Sequence, residues 1–326
     1  DWFWWYGDDH SSDHDEAFDD LFRRHLRNAY RLLQLPVPDD LSAAEGYLAV
    51  APDLYFHFDF QSSNSIIWVT DEGVLVIDTR QHPRHADELI GKIRKITDKP
   101  IRWAFNTQAH GDHYLGNQSF KRAGATIVAQ AEAARLMDRY YDKDISRRGA
   151  FFGRTKFDPK EIVKTLPDRT FDRQMVIRMG GKEAYLLYFG PAQDPGASFV
   201  YFPHAKALAT SGNYVTKGWH NPMFTPSVDG WLSILRHVQQ MEVDHYLPGH
   251  GGVGTKQDVA EAIGFLTDLK SAVQDAIAKG MSPEQAADAI KLDKYKDWRN
   301  ANLAKNQIVA MHHLLRTGKS IYLDLE

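Results

Sequence analysis

Residues 106–113 read Asn-Thr-Gln-Ala-His-Gly-Asp-His and carry the strongest structural signal in the chain. Residues 101–105, Ile-Arg-Trp-Ala-Phe, predict a buried strand before the stretch, and Tyr114-Leu115-Gly116-Asn117 opens a helix after it. The stretch is therefore expected in a loop at the end of a strand, where a rigid sheet fixes the geometry of polar side chains. Its histidine and aspartate side chains are of the types that can bind a metal ion.

Three later segments place related residues directly after predicted strands. Residues 190–194 read Gly-Pro-Ala-Gln-Asp, residues 210–213 read Thr-Ser-Gly-Asn, and residues 248–251 read Pro-Gly-His-Gly. Together with residues 106–113 they resemble, in order, the metal motifs of the metallo-β-lactamase superfamily, beginning with H-x-H-x-D-H. The resemblance spans about residues 50–265 and implies an α/β fold, the αββα sandwich of that superfamily, and a metal-dependent hydrolase.

The chain departs from that pattern at three ligand positions. Gln108 and Gln193 stand where the superfamily has histidines, and Asn213 stands where it has a bridging aspartate. Amides are weak zinc ligands, and two zinc ions beside a single carboxylate would leave costly uncompensated charge. We therefore expect one Zn²⁺ per site. The resemblance implies that its ligands are Asp112, His113, Asn213 and His250.

Two other interpretations of these departures stay open. One is a metal-free binding module on an inherited fold, and the other is an enzyme that still binds two metals. The losses favour a single metal because they affect one metal position and leave a carboxylate and two imidazoles at the other.

His110 and Asp78 are candidates for supporting roles. His110 is released from metal binding, and its pKa range suits a general base near neutrality; the alternative is a hydrogen bond to the loop backbone alone. Asp78 ends the apolar run 74–77. It is placed either to orient a ligand histidine or to cap the helix that starts near Pro83.

Aromatic residues follow the Asn213 segment and are candidates for stacking on a flat, electron-poor ring. Packing within the protein is the alternative for each of them. With the two glutamines, the candidate substrate-binding residues are Gln108, Gln193, Trp219, Phe224 and Trp231.

The composition of the site resembles that of the hydrolytic dehalogenases of the superfamily that act on chlorothalonil. This resemblance implies that an aromatic chlorine is replaced by hydroxyl from a water on the zinc, with His110 as base. A hydrolase of esters, lactones or amides that uses the same single zinc remains the alternative.

Length and composition bound the remaining possibilities. The chain has 326 residues, 43% hydrophobic and 25% charged, with a net charge of −4. These values predict a soluble globular protein and give no sign of nucleic-acid or membrane binding. No cysteine is present, so any zinc must bind through oxygen and nitrogen ligands. The compartment, cytoplasmic or periplasmic, and a removed signal peptide are left open.

We expect three regions: an aromatic arm and helix at 1–45, a catalytic domain at 46–265, and a helical extension at 266–326. The arm begins Trp2-Phe3-Trp4-Trp5-Tyr6. The tail presents an apolar face with Ile308, Met311 and Leu315. Because such surfaces are rarely left in water, we expect a homodimer with at least one of these segments in its interface.

Overall fold

The computed structural model describes residues 27–35, 47–59, 62–148 and 157–322. In these ranges two β-sheets pack face to face and helices cover the outer faces. The expected α/β sandwich is confirmed. The aromatic arm at residues 2–6 lies outside the described residues, and of the helix expected at 16–35 only the helical turns at 27–32 fall within them.

The strands divide into a sheet of seven and a sheet of five. The first sheet follows chain order: β1 (Tyr47–Ala51), β2 (Leu54–His57), β3 (Ser65–Thr70), β4 (Gly73–Ile77), β5 (Ile101–Asn106), β6 (Thr126–Gln130) and β7 (Arg169–Phe171). The second, ordered β12-β11-β10-β9-β8, contains β8 (Gln174–Met179), β9 (Lys182–Leu187), β10 (Phe199–Phe202), β11 (Ala207–Val215) and β12 (His245–His250). Strands β4 to β7 run parallel, as do β11 and β12. The carboxyl ends of parallel neighbours lie at one sheet edge.

Eight helices lie between and after these strands in the described ranges. They are α1 (Pro83–Ile96), α2 (Gly111–Tyr114), α3 (Asn117–Arg122), α4 (Ala131–Arg147), α5 (Val228–Gln240), α6 (Lys256–Ala278), α7 (Pro283–Ala289) and α8 (Ala304–Thr317). Helices α1 and α3 pack on the seven-stranded sheet, and α5 to α8 pack on the five-stranded sheet. None of the helices in the described ranges is long and apolar enough to cross a bilayer.

Strand β4 shows how the sequence builds the layers. Its residues are all buried. Leu75 and Ile77 face the core between the two sheets, and Val74 and Val76 face the layer that contains α1. Alternate side chains of a strand point to opposite faces, so a continuous apolar run is required where both faces are covered.

Several element boundaries differ from the sequence-based expectation. Helix α1 begins at Pro83, the expected position, because proline fits the first helical position and the His82 ring accepts from the Arg84 amide at 3.2 Å. Strand β11 continues to Val215, beyond the expected end at 210, because it pairs with β12. Helix α6 passes without a break through the expected domain boundary at 265.

The apolar face of the tail packs within the chain itself. Ile308 and Met311 are buried against α5, α6 and α7, and Leu315 packs partly against the same cluster. This face is therefore covered by the chain itself, and the expected homodimer stays a prediction. The helices that cover the five-stranded sheet already use it as core.

Candidate metal centre

The loops that contain the predicted motifs meet at one edge of the sandwich. Asp78 follows β4, the 107–113 segment follows β5, and His250 ends β12. The short helix α2 begins after His110 and places Asp112 and His113 in a single turn. Residues far apart in sequence are thereby brought together at the carboxyl ends of strands, as the sequence predicted.

Asp112, His113 and His250 form a compact cluster of possible metal ligands. One ligand atom of each lies within 4.8 Å of the others. The Asp112 Oδ2 atom is 3.1 Å from His250 Nε2 and 3.7 Å from His113 Nε2. Carboxylate oxygen and imidazole nitrogen converging at this scale match the ligand chemistry of zinc.

The orientation of His113 supports a role as a ligand. Its Nδ1 lies 2.6 Å from Asp78 Oδ2 and donates to that carboxylate, which leaves the lone pair on Nε2. Within the described part of the chain, this buried Nε2 has no hydrogen-bond partner. A carboxylate behind a histidine is the usual outer partner of a metal ligand, so the residues fit a zinc ion. The Asp78 carboxylate thus lies against His113, and the cap of α1 is His82.

Arg148 holds the opposite side of the Asp112 carboxylate. Its guanidinium pairs with Asp112 Oδ1, and its Nη1 donates to Gln81 Oε1 at 2.8 Å. Burial alone would raise the pKa of Asp112, but Arg148 and the neighbouring histidines keep that pKa well below its usual range. One carboxylate oxygen is therefore fixed by the arginine while the second faces the two histidines.

Close packing under the cluster requires glycine at position 249. A Cβ there would lie 2.7 Å from His113 Cε1 and 3.0 Å from the Ser211 backbone. The glycine of the Pro-Gly-His-Gly segment thus lets β12 approach the ligand ring directly.

Gln108 is fully engaged with the protein. Its Oε1 accepts from Ser211 Oγ at 2.7 Å and from the Gly212 amide at 3.1 Å. Since the Gly212 N–H can only donate, the Gln108 Nε2 must be the amide nitrogen, and it lies 2.9 Å from His110 Nδ1. The amide therefore donates to the ring of a histidine that is a metal ligand in the unaltered superfamily pattern.

Gln193 and Asn213 lie beside each other next to this network. The Gln193 backbone N–H donates to Asn213 Oδ1 at 3.2 Å. The side-chain atoms Gln193 Oε1 and Asn213 Nδ2 are buried without a hydrogen-bond partner among the described residues. Asn213 Oδ1 retains one lone pair, and its role as a metal ligand stays a prediction.

His110 has a carboxylate on its second nitrogen. Its Nε2 is 3.4 Å from Asp194 Oδ2, while its Nδ1 accepts from Gln108. Asp194 is also held by the backbone amides of Gly196 and Ala109, at 2.7 and 3.3 Å. Burial raises the pKa of Asp194 to about 6. The alternative of a bond to the loop backbone alone therefore does not describe this histidine.

The three predicted aromatic residues occupy different places. The Phe224 ring lies 4.1 Å from the His110 ring, between centroids. Trp231 is buried and donates to the Asn213 carbonyl at 2.8 Å, so it supports the site from behind. Trp219 packs in the core on the five-stranded sheet and donates to the Tyr295 carbonyl. Contact of any of them with substrate stays a prediction.

A chain of hydrogen bonds joins the two sheets through the site. Thr107 donates from its backbone N–H to Asp78 Oδ1 at 2.8 Å, and its hydroxyl lies 2.7 Å from Ser211 Oγ. Ser211 continues to Gln108. Asp78 and Ser211 both have positive φ, at 63° and 57°, a strained conformation that such fixed contacts hold in place.

Two residues of the site were missed from the sequence. Asp194 stands directly after Gln193 in the quoted segment, so a carboxylate beside a motif glutamine was an available signal. Arg148 lies at the end of α4, 36 positions from Asp112, and no local pattern distinguishes it from the other basic residues nearby.

Comparison with known proteins agrees with this geometry. The sequence profile of the metallo-beta-lactamase superfamily matches residues 58–250. A linear primary-alkylsulfatase from Pseudomonas sp. (strain ATCC 19151) is 24% identical over 261 residues, covering 68% of this chain and 48% of its own length. The 2,4-dinitroanisole O-demethylase subunit alpha of Nocardioides sp. (strain JS1661) is 22% identical over 223 residues, covering 68% and 62%. The chain thus spans about half to two thirds of the length of these relatives.

Solved structures share the fold. A stereoselective inverting sec-alkylsulfatase from Pseudomonas sp. superposes with a TM-score of 0.68 at 17% identity, covering 82% of this chain and 50% of its own. A metallo-beta-lactamase from Pontibacter korlensis gives a TM-score of 0.56 at 19% identity, covering 68% and 98%.

Proposed function

Because the chain belongs to the metallo-β-lactamase superfamily, we propose that it is a zinc-dependent hydrolase with one zinc per site. The observation that carries this proposal is the contrast between two neighbouring positions. Asp112, His113 and His250 converge with a buried, unpartnered nitrogen among them. Beside them, Gln108 uses both ends of its amide for hydrogen bonds within the protein.

We further propose that the reaction replaces an aromatic chlorine by hydroxyl on an electron-poor ring, of the chlorinated aromatic nitrile class. When bound, zinc lowers the pKa of a coordinated water toward 7. In the balanced reaction a carbon–oxygen bond forms, the carbon–chlorine bond breaks, and chloride leaves with the electron pair. The proton lost by water is taken by His110 and then released to solvent.

The surroundings of His110 support this use as a base. The Gln108 donor keeps Nδ1 in the acceptor form, and the neutral ring then carries its proton on Nε2, toward Asp194. An imidazole nitrogen has a single lone pair, so Nδ1 can take up a proton only when the Gln108 N–H turns away from it. The Asp194 carboxylate is then placed to stabilise the imidazolium, as a carboxylate does in hydrolase triads. Phe224 packs on the ring and limits the access of bulk water on that side.

One relative also supports an electron-poor aromatic substrate. The O-demethylase from Nocardioides is named for 2,4-dinitroanisole, an aromatic ether with two electron-withdrawing nitro groups. Nitriles and chlorines withdraw electrons from a ring in the same way, and each makes a ring carbon easier to attack by a nucleophile.

A second candidate is ester hydrolysis by the same single zinc, with sulfate esters as the class to test. It is favoured by the alkylsulfatase names among both the sequence relatives and the structural neighbours. The lactone and amide substrates expected from the sequence belong to the same alternative.

The deciding experiment is elemental analysis combined with product assays on one purified sample. We expect about one tightly bound zinc per chain and chloride release from chlorinated aromatic nitriles. Sulfate release from alkyl sulfates without chloride release would favour the ester alternative. A metal-free protein without turnover on any of these substrates would favour a binding module and contradict both enzymes.

A further inference from the structure

A line of three basic side chains lies apart from the metal centre and takes no part in the proposed reaction. His57, at the end of β2, is 1% exposed. Arg80 Nη1 is 3.1 Å from its Nδ1, and Lys92 Nζ is 3.0 Å from its Nε2. Lys92 lies on α1 and is partly exposed.

The hydrogen atoms in this line can be assigned from chemistry alone. A guanidinium only donates, so His57 Nδ1 must accept from Arg80. The neutral ring then carries its single hydrogen on Nε2, which faces Lys92. An ammonium group has three donors and no acceptor, so two donors would meet there. The contact is a hydrogen bond only if Lys92 is an uncharged amine whose lone pair accepts from His57.

The surroundings of Lys92 also lower its pKa and so favour the uncharged amine. Burial lowers the pKa of Lys92 most, and Arg80 and Lys95 lower it further, while Asp59 and Glu88 raise it. Arg80 and Asp59 form an ion pair, so their opposite effects on Lys92 largely offset each other and burial remains the main cause. Burial and the Arg80 guanidinium lower the pKa of His57, which keeps the imidazole neutral.

We propose that Lys92 is a nucleophilic amine and a site of spontaneous acylation by activated acyl donors, namely acyl phosphates and thioesters. The amine nitrogen attacks the acyl carbon and forms an amide bond. The bond to phosphate or thiolate breaks, and the proton displaced from nitrogen goes to solvent. This reactivity is separate from the hydrolase chemistry proposed above, and either one can fail without the other.

The test compares Lys92 with Lys95, an exposed lysine three residues later on the same helix. The native protein is treated with trace acetyl phosphate at pH 7.5, and initial acetylation rates are measured by peptide mass spectrometry. An exposed lysine with a pKa near 10.4 is only about one part in a thousand uncharged at this pH. We expect Lys92 to react at least about tenfold faster than Lys95 on this basis. A rate equal to or below that of Lys95 would overturn the proposal.

A variant tests the cause of the reactivity. In Arg80→Gln the new amide can accept from His57 Nδ1–H, so Nε2 can accept from a charged Lys92. The Lys92 rate should then fall to that of Lys95. A folded Arg80→Gln protein in which Lys92 stays fast would contradict the hydrogen-bond argument. If that variant does not fold, the rate ratio in the unaltered protein still decides.

Discussion

The Gln108 side-chain amide donates a hydrogen bond to His110 Nδ1 over 2.9 Å. Its oxygen accepts from Ser211 and Gly212, which identifies the nitrogen end of the amide as the donor to His110. A neutral donor thus occupies the lone pair of a histidine that is a metal ligand in the superfamily pattern. A hydrogen-bond network around Gln108 therefore takes the place of one metal position of the superfamily pattern.

Restoring the missing ligands should restore the second metal. The triple variant Gln108→His, Gln193→His, Asn213→Asp is expected to bind two zincs per chain, about 3.5–4 Å apart, because it regains two imidazoles and a bridging carboxylate. Elemental analysis and anomalous scattering would measure this. The control Gln108→Ala, Gln193→Ala should keep one zinc. A triple variant that still binds one zinc in excess metal would contradict the account of these positions.

Removing His110 should separate catalysis from metal binding. His110→Ala is expected to keep its zinc and lose about 10²- to 10⁴-fold in kcat, the usual contribution of a positioned acid–base group. Zinc content and chloride release are measured on the same sample. If the variant loses zinc and activity together, His110 is a metal ligand. If it keeps full activity, His110 has no role in catalysis.

Asp194→Asn should reduce kcat with little change in KM, because the amide cannot stabilise a protonated His110 as a carboxylate does. Zinc should be retained, since Asp194 contacts His110 and not the ligand cluster. Asp229→Asn, at an exposed position on α5, is the matched control. An unchanged kcat in Asp194→Asn would remove the carboxylate from the mechanism.

Zinc affinity should fall in a graded way across the cluster. His250→Ala removes a direct ligand and is expected to abolish tight binding and turnover together. Asp78→Asn retains tolerance of the positive φ at position 78 but weakens the bond to His113, so a loss of about 10- to 100-fold in affinity is expected. Competition with a chelator would measure both. Equal affinity in Asp78→Asn and the unaltered protein would show that His113 needs no such support.

His220 should make the fold sensitive to acid. Its Nε2 accepts from the Val215 amide and its Nδ1 donates to the Gly218 carbonyl, so both bonds need the neutral ring. Burial lowers its pKa to about 4. Between about pH 6.5 and 4 the unfolded chain binds more protons, so the free energy of unfolding falls as pH drops, by up to about 3 kcal/mol.

Urea unfolding at pH 8 and pH 5 would test this dependence. His220→Asn should show a smaller loss than the unaltered protein, whereas His237→Asn, an exposed histidine on α5, should behave like the unaltered protein. The same pH response in both variants would contradict the assignment to His220.

The sandwich was predicted from the resemblance to the superfamily, which rests on an ordered series of polar motifs that follow apolar runs, as after β4 and β5. The sequence also predicted that the site lies at the carboxyl ends of strands, where Asp112 after β5 and His250 at the end of β12 come together. Boundaries such as Val215 depend on pairing with a distant strand and could not be inferred locally. Arg148 could not be found for the same reason, because its contact with Asp112 exists only after α4 folds across the site.

Association is now expected to involve the N-terminal arm. Ile308 and Met311 are buried in their own chain, so the aromatic residues Trp2 to Tyr6 remain as the apolar surface predicted for a homodimer. Light scattering should give about twice the mass of one chain, and Trp2→Ala with Trp4→Ala should shift it toward one. A stable monomer at micromolar concentration in the unaltered protein would refute this.

The bonds from Asp78 through Thr107 to Ser211 run from the end of one sheet into a strand of the second. The hydrogen bonds that connect the two sheets thus lie within the proposed active site. Separation of the two sheets would break these hydrogen bonds and displace Gln108 and His110 from their positions in the site. Activity and fold should therefore vanish together along a denaturant gradient, with no inactive but intact sandwich in between.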